Sequence, residues 1–278
     1  MMAAFNPTGN GSRMWKAILS YDGTDYRGWQ VQPGERTIQG ELQDALGRVT
    51  GESPLPQGSG RTDAGVHALG QVASFPLQAA IPPENLLRAL NRTLPASIRV
   101  METQMMPSGF HARHSAVVKT YEYRVWIEKV ECIDICPPFM ARYVYACPWN
   151  LDRAAMQQAS AIILGEHDFV SFCASDPDLS TREQSADLDE VTRSTVRNVF
   201  ASTWEHAGTE AAPFLIYRIR GNGFLHHMVR NLVGTMIEVG RGATKPSSMH
   251  AIFEARSRSA AGPTAPARGL FLHSVEYD

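Results

Sequence analysis

Two hydrophobic periods alternate along this chain, and their order limits its fold more than any other feature. Trp15, Ala17, Leu19 and Tyr21 alternate with Lys16, Ile18 and Ser20, the two-residue repeat of a strand whose side chains face opposite sides. Asp22-Gly23-Thr24-Asp25 then supplies turn chemistry. From Thr37, an N-cap residue type, Ile38, Leu42, Leu46 and Val49 recur at helical spacing up to Gly51. A second helix is predicted from Pro83, with Leu86, Leu87 and Leu90 inward, and strands at Gln71 to Phe75 and Ile98 to Gln104. After Phe110 the pattern starts again. Tyr121, Tyr123 and Val125 share one strand face, with Glu122, Arg124 and Trp126 on the other. Helices are predicted from Leu151 to Gly165, from Leu225 to Gly240 and near Ser247 to Arg256, with strands at about Asn198 to Trp204, Phe214 to Arg220 and Gly269 to Tyr277.

The strands are not each followed by a crossover helix, so the order predicts an α+β fold and not a doubly wound parallel sheet. The expected architecture is two similar halves of mixed antiparallel sheet and helix with a cleft between them. Residues 1–13 are expected to be a flexible tail, 14–115 an N-terminal α+β domain and 116–278 a C-terminal one. A chain of 278 residues with 44% hydrophobic residues can bury cores of that size. Its apolar runs, such as Ala161 to Leu164, fall far short of the roughly 20 residues that cross a bilayer, so a soluble protein is expected. Met1 to Ser12 lacks the apolar core of a secretory leader. Cys132, Cys136, Cys147 and Cys173 form no C-x-x-C pair, which argues against zinc and a disulfide framework and for a reducing cytoplasm.

The formal net charge is −2, so any polyanion must be held by local patches. Charge is in fact segregated. Between Glu166 and Glu190 there are eight acidic residues against Arg182 alone, which predicts a solvated acidic loop, whereas Arg193, Arg197, Arg218, Arg220, Arg230, Arg241 and Lys245 follow it.

Three stretches carry residue types suited to chemistry. The first, Gly58-Ser59-Gly60-Arg61-Thr62-Asp63-Ala64-Gly65-Val66-His67, is polar and punctuated by glycine ahead of a predicted strand. It reads equally as a surface loop with a local turn bond from Thr62 or Asp63, or as a ligand loop. A guanidinium beside a carboxylate favours the ionised form, which suits Asp63 to nucleophilic or electrostatic work. The second is Phe110-His111-Ala112-Arg113-His114, followed by Tyr121 and Tyr123. Its two histidines have no third ligand at metal spacing, and a basic stretch leading into a tyrosine strand suits phosphate clamping and base stacking. A core face is the competing account of the tyrosines. In the third, Gly221 to Asn231, His227, Arg230 and Asn231 share the polar side of a predicted helix. That side is either a cleft wall or a solvated face.

Together, Gly60-Arg61-Thr62-Asp63-Ala64-Gly65-Val66-His67, Phe110-His111-Ala112-Arg113, Tyr121-Glu122-Tyr123 and Phe224-Leu225-His226-His227-Met228-Val229-Arg230-Asn231 resemble the tRNA pseudouridine synthase A family. Tyr21-Asp22-Gly23, Gly28-Trp29-Gln30, Leu164-Gly165-Glu166-His167-Asp168-Phe169 and Gly269-Leu270-Phe271-Leu272 extend the likeness from Trp15 onward. The resemblance implies a two-half α+β fold with a cleft and isomerisation of uridine to pseudouridine at positions 38, 39 and 40 of the tRNA anticodon arm. It also implies a homodimer and neither metal nor organic cofactor. By the same resemblance, Asp63 is the nucleophile, Tyr121 packs on the target base, Arg230 pairs with the nucleophile, and Arg61 helps to open the stem and hold the flipped nucleotide. Arg113 and His227 are further expected RNA contacts.

Turning an N-glycoside into a C-glycoside requires uracil to be detached, rotated and rejoined through C5, and a carboxylate can attack C1′ or C6 to start it. Flipping the target out of a stem costs a few kcal/mol, which arginine insertion and stacking can offset. His114 stands where the family usually has an aromatic residue, Glu122 where a basic one is common, and the acidic stretch after Cys173 is longer than usual. Two rivals differ in product. A non-catalytic tRNA-binding protein or chaperone would leave uridine unchanged, and an aspartate-nucleophile hydrolase would release free uracil or ribose and want a second carboxylate or a metal cluster.

Overall fold

The computed structural model describes residues 11–127, 129–130, 133–134, 136–174, 194–209 and 212–278. Most of the expected tail, Cys132 and the acidic run from Asp176 to Glu190 lie outside the described residues. The chain divides into two units, one of residues 1–117 with 272–278, the other of 118–271. The last residues, expected in the second half, thus belong to the first.

In the first unit, β1 (Arg13–Tyr21), β2 (Gln57–Gly58), β3 (His67–Leu77) and β4 (Ile98–Met106) accompany α1 (Ile38–Thr50) and α2 (Pro83–Thr93). β1 runs antiparallel between β3 and β4, with Trp15 opposite Phe75 and Met105. From Leu272 onward the final strand lies on the other side of β3. The two-residue repeat works as predicted. Trp15, Ala17, Leu19 and Tyr21 are buried along with Ile38, Leu42 and Leu46 of α1 and Leu86 and Leu90 of α2. Each such leucine contributes about 1.5–3 kcal/mol by leaving water. Thr37 caps α1 by accepting from the Gly40 N–H.

The second unit holds β5 (Ala116–Trp126, from Val118), β6 (Lys129–Val130), β7 (Ile133–Asp134), β8 (Tyr145–Ala146), β9 (Gly165–Asp168), β10 (Val196–Thr209), β11 (Ala212–Gly221) and the start of β12 (Leu270–Tyr277). Its sheet order is β5-β11-β10-β9, all antiparallel, with β8 parallel to β5. α3 (Arg153–Ala161), α4 (Met228–Gly240) and α5 (Ser248–Ala255) complete it. α3 packs against α4 and β10. Both units are α+β. Among the described residues no helix is long and apolar enough to cross a membrane.

Three expectations shift. α3 starts after Asp152, whose carboxylate accepts from the Ala155 N–H. Met156 and Ala159 therefore face inward, and Ala155 is only half-buried. α4 begins at Met228 and not at Leu225, because His227 takes a left-handed conformation (φ 59°) that a continuing helix does not allow. The acidic loop expected from Glu166 begins instead as strand β9, paired with Val196 to Val199.

Candidate active site

The first unit fixes the Asp63 loop from both sides. Thr62, buried within it, pairs its hydroxyl with that of Tyr21 (2.8 Å), and its carbonyl accepts from the Trp29 N–H (3.0 Å). Its neighbours therefore turn outward. Arg61 is exposed and Asp63 half-buried. Upstream, the buried Gln71 accepts from the Ser59 hydroxyl (2.7 Å) and donates to the Gly60 carbonyl (2.8 Å). Downstream, the Val66 N–H closes a turn onto the Asp63 carbonyl (3.1 Å), and the Gly23 N–H donates to Nδ1 of buried His67 (3.1 Å). Burial pushes the Tyr21 phenol far up, against smaller opposing effects of Thr62 and Gln71, so it stays a neutral hydrogen-bonding group.

The same contacts explain why Tyr21-Asp22-Gly23 and Gly28-Trp29 accompany the loop. A methyl group at Gly23 would come within 1.9 Å of the Val66 carbonyl oxygen, and one at Gly28 (φ 88°) within 2.5 Å of the Thr62 carbonyl oxygen. Backbone lies directly on backbone at both points, which only glycine permits.

The stretch 110–114 is pinned at its centre. Ala112 is fully buried; its N–H donates to the Ser74 hydroxyl of β3 (3.0 Å) and its carbonyl accepts from the Tyr277 hydroxyl of β12 (2.8 Å). Phe110 packs on the Tyr277 ring at 5.1 Å. Arg113, next to this anchor, is exposed. His111 Nδ1 accepts from the N–H groups of Arg113 and His114. Burial, then the nearby His114 and Arg113, lower the His111 pKa.

In the second unit, β5 and β11 pair so that Tyr121 stands opposite Ile219 and Tyr123 opposite Tyr217. Tyr123 is core: it is fully buried and its hydroxyl donates to the Pro266 carbonyl (2.8 Å). Tyr121 keeps 8% of its surface, and its ring meets Phe224 edge-on at 5.0 Å. Glu122, 3% exposed, accepts from Nε of Arg124 (2.7 Å) and Nε of Arg218 (3.2 Å), the residue directly opposite it. A carboxylate at this position is thus matched by two guanidiniums.

His227 ends the turn before α4 and is half-buried, with its ring 3.9 Å from that of His226. Arg230 is half-buried one turn on, its Nε donating to the Ala265 carbonyl (2.8 Å). Asn231 does not share the polar face expected for it. It is 0% exposed, and its side chain donates to the Phe172 carbonyl (2.7 Å) and accepts from Thr264 and Arg258. Gln71 and Arg258 are given no role by the sequence, and Thr62, read as a local turn bond, pairs instead with Tyr21; a two-residue repeat running through Gln71 places it on a face but does not show that it is buried.

The first unit carries half-buried Asp63 on a clamped glycine-rich loop, and the second carries a tyrosine strand and an arginine-bearing helix. The family profile of tRNA pseudouridine synthase matches residues 17–115 and 159–278, and the chain belongs to that family. Among its relatives, the tRNA pseudouridine synthase A of Solibacter usitatus is 46% identical over 265 residues, 95% of this chain and 100% of that protein. That of Moorella thermoacetica is 43% identical over 94% of this chain and 98% of that protein, and that of Bacillus pumilus 40% over 95% and 98%.

Proposed function

We propose that this protein isomerises uridine to pseudouridine at positions 38, 39 and 40 of the tRNA anticodon arm, with Asp63 as the nucleophile. Asp63 attacks C1′ or C6, the N1–C1′ bond breaks, the uracil turns while bonded to the enzyme or held beside it, C5 joins C1′, the bond to Asp63 breaks, and the C5 proton leaves as N1 gains one. No water is consumed and the product has the mass of the substrate. Tyr121 stacks on the flipped base. Arg230 pairs with Asp63, and Arg61 opens the stem and holds the flipped nucleotide. Arg113 and His227 add RNA contacts. The protein acts as a cytoplasmic homodimer without metal or organic cofactor.

The observation that carries this reading is the fixed Asp63 loop. Its carbonyls at Gly60 and Thr62 are both engaged by surrounding structure, which supports a preorganised nucleophile and argues against a mobile surface turn. Tritium release from C5-labelled uridine in an anticodon-arm RNA tests it. Asp63→Asn is expected to release no label above background while melting within a few degrees of the wild type. Release at the wild-type rate would remove Asp63 from the reaction, and free uracil as product would replace isomerisation by hydrolysis.

A further inference from the structure

Arg258 belongs to none of the stretches that carry the family resemblance, yet its guanidinium makes four hydrogen bonds. Nη1 donates to the carbonyls of Ala261 (3.4 Å) and Gly262 (2.9 Å), and Nη2 to Asn231 Oδ1 (3.0 Å) and Thr264 Oγ1 (3.0 Å). All four acceptors are neutral oxygens, so this arginine works here through the fixed fork of its donors. Thr264 also donates to Asn231 Oδ1 (2.6 Å). Asn231 lies on α4 next to Arg230, and its amide is anchored at Phe172.

Segment 258–265 is thereby laid on α4 itself. The Gly262 N–H donates to Thr235 Oγ1 (2.9 Å), and a methyl group at Gly234 would come within 1.7 Å of the Pro263 carbonyl oxygen. The segment ends where Ala265 exchanges two bonds with Arg230: its N–H donates to the Arg230 carbonyl (3.1 Å), and its carbonyl accepts from Arg230 Nε (2.8 Å). Holding Nε fixes the plane of the Arg230 guanidinium and so the direction of its two Nη groups.

We propose that Arg258 is a positioning residue for Arg230. By clamping segment 258–265 onto α4 through Asn231 and Thr264, it sets the Ala265 carbonyl that orients the Arg230 guanidinium. This rests on the reading that Arg230 pairs with the Asp63 nucleophile. A shift of a clamped group by a fraction of an ångström affects the transition state more than substrate affinity, so the effect belongs in kcat.

The test measures label release from anticodon-arm RNA by the full-length protein, with melting followed in parallel. Arg258→Met is expected to lower kcat about tenfold with KM within about twofold of wild type. Arg258→Lys should recover little, since an ammonium cannot span both pairs of acceptors. In an Arg230→Lys background, Arg258→Met should cost less than about twofold more, because the group it positions is already altered. Thr264→Val removes one partner of the clamp and should lower kcat in the same direction by a smaller factor, which serves if Arg258→Met does not fold. Wild-type kcat in the folded variants, or an equal loss with and without the Arg230 change, overturns the proposal. Absence of label release by the wild-type protein overturns the functional reading and this one with it, whereas lost coupling alone leaves that reading standing.

Discussion

Asp168 shows how a single residue can hold two segments that are distant in sequence. Its Oδ1 accepts from the Thr195 hydroxyl (2.6 Å) and the Val170 N–H (3.1 Å), and its Oδ2 meets Arg256 at 2.5 Å. Partial burial pushes the carboxyl up, but the hydrogen bonds from Thr195 and Val170 and the charge of Arg256 outweigh it, and the pKa is lowered. The unfolded chain therefore takes up this proton first. The stabilisation is complete above the unfolded value and is lost as pH falls below about 4, through the folded pKa. Asp168→Asn should thus lower stability at neutral pH by about 1 kcal/mol while flattening its fall as pH drops below about 4. Denaturant midpoints across that range check this, and a variant with the wild-type acid slope would show that another group carries it.

At the scale of elements, the Asp63 loop depends on close backbone contacts that its own residues do not make alone. Gly23→Ala puts a methyl group 1.9 Å from the Val66 carbonyl oxygen, and the backbone must move. The expected cost is about 1–3 kcal/mol, with turnover reduced because Thr62 and Asp63 shift with Val66. Denaturant midpoint and label release measure the two effects separately, and an unchanged midpoint would mean the turn relaxes freely. Gly23 also marks what could be read in advance. Turn chemistry at 22–25, the cap at Thr37, the α1 face and the β1 alternation follow from local periodicity, and each is found in place. The start of α4 was not legible, since His227 adopts a left-handed conformation imposed by its surroundings and not by its residue type. Asn231 was misplaced for a related reason. An i, i+4 spacing groups it with His227, but its side chain is held inside by the Phe172 carbonyl and by the segment 258–265, some 30 residues on. Arg258 belongs to no motif, and although three of its acceptors lie within six residues of it, the fourth, Asn231, is brought to it only by the folded unit. Motifs point to Asp63, Arg61, Tyr121 and Arg230 as candidates, whereas the side chains that hold the surrounding segments, Gln71, Thr62 and Thr264, are ordinary polar residues whose folded partners decide their work.

For the whole molecule, the balance of charge sets how RNA is held. With 26 Lys and Arg against 28 Asp and Glu, the protein offers a polyanion no overall attraction, so affinity must come from individual cation–phosphate contacts. Each such contact releases condensed counterions and adds about 0.7 to 0.9 to the slope of log affinity against log salt. Arg113 suits this role. It is exposed, and the backbone beside it is anchored at Ala112 to both β3 and β12, so the guanidinium is presented from a fixed base with less entropy to lose on binding. Arg113→Gln is therefore expected to weaken anticodon-arm binding by a similar factor across RNA sequences and to lower the magnitude of the salt slope by about 1, with the remaining contacts unaffected. Filter binding or fluorescence anisotropy over a salt series measures both. A wild-type affinity flat in salt would mean that phosphate contacts do not hold the RNA, while a slope unchanged by Arg113→Gln, with affinity lost, would move this arginine from the phosphate backbone to a base or a structural role.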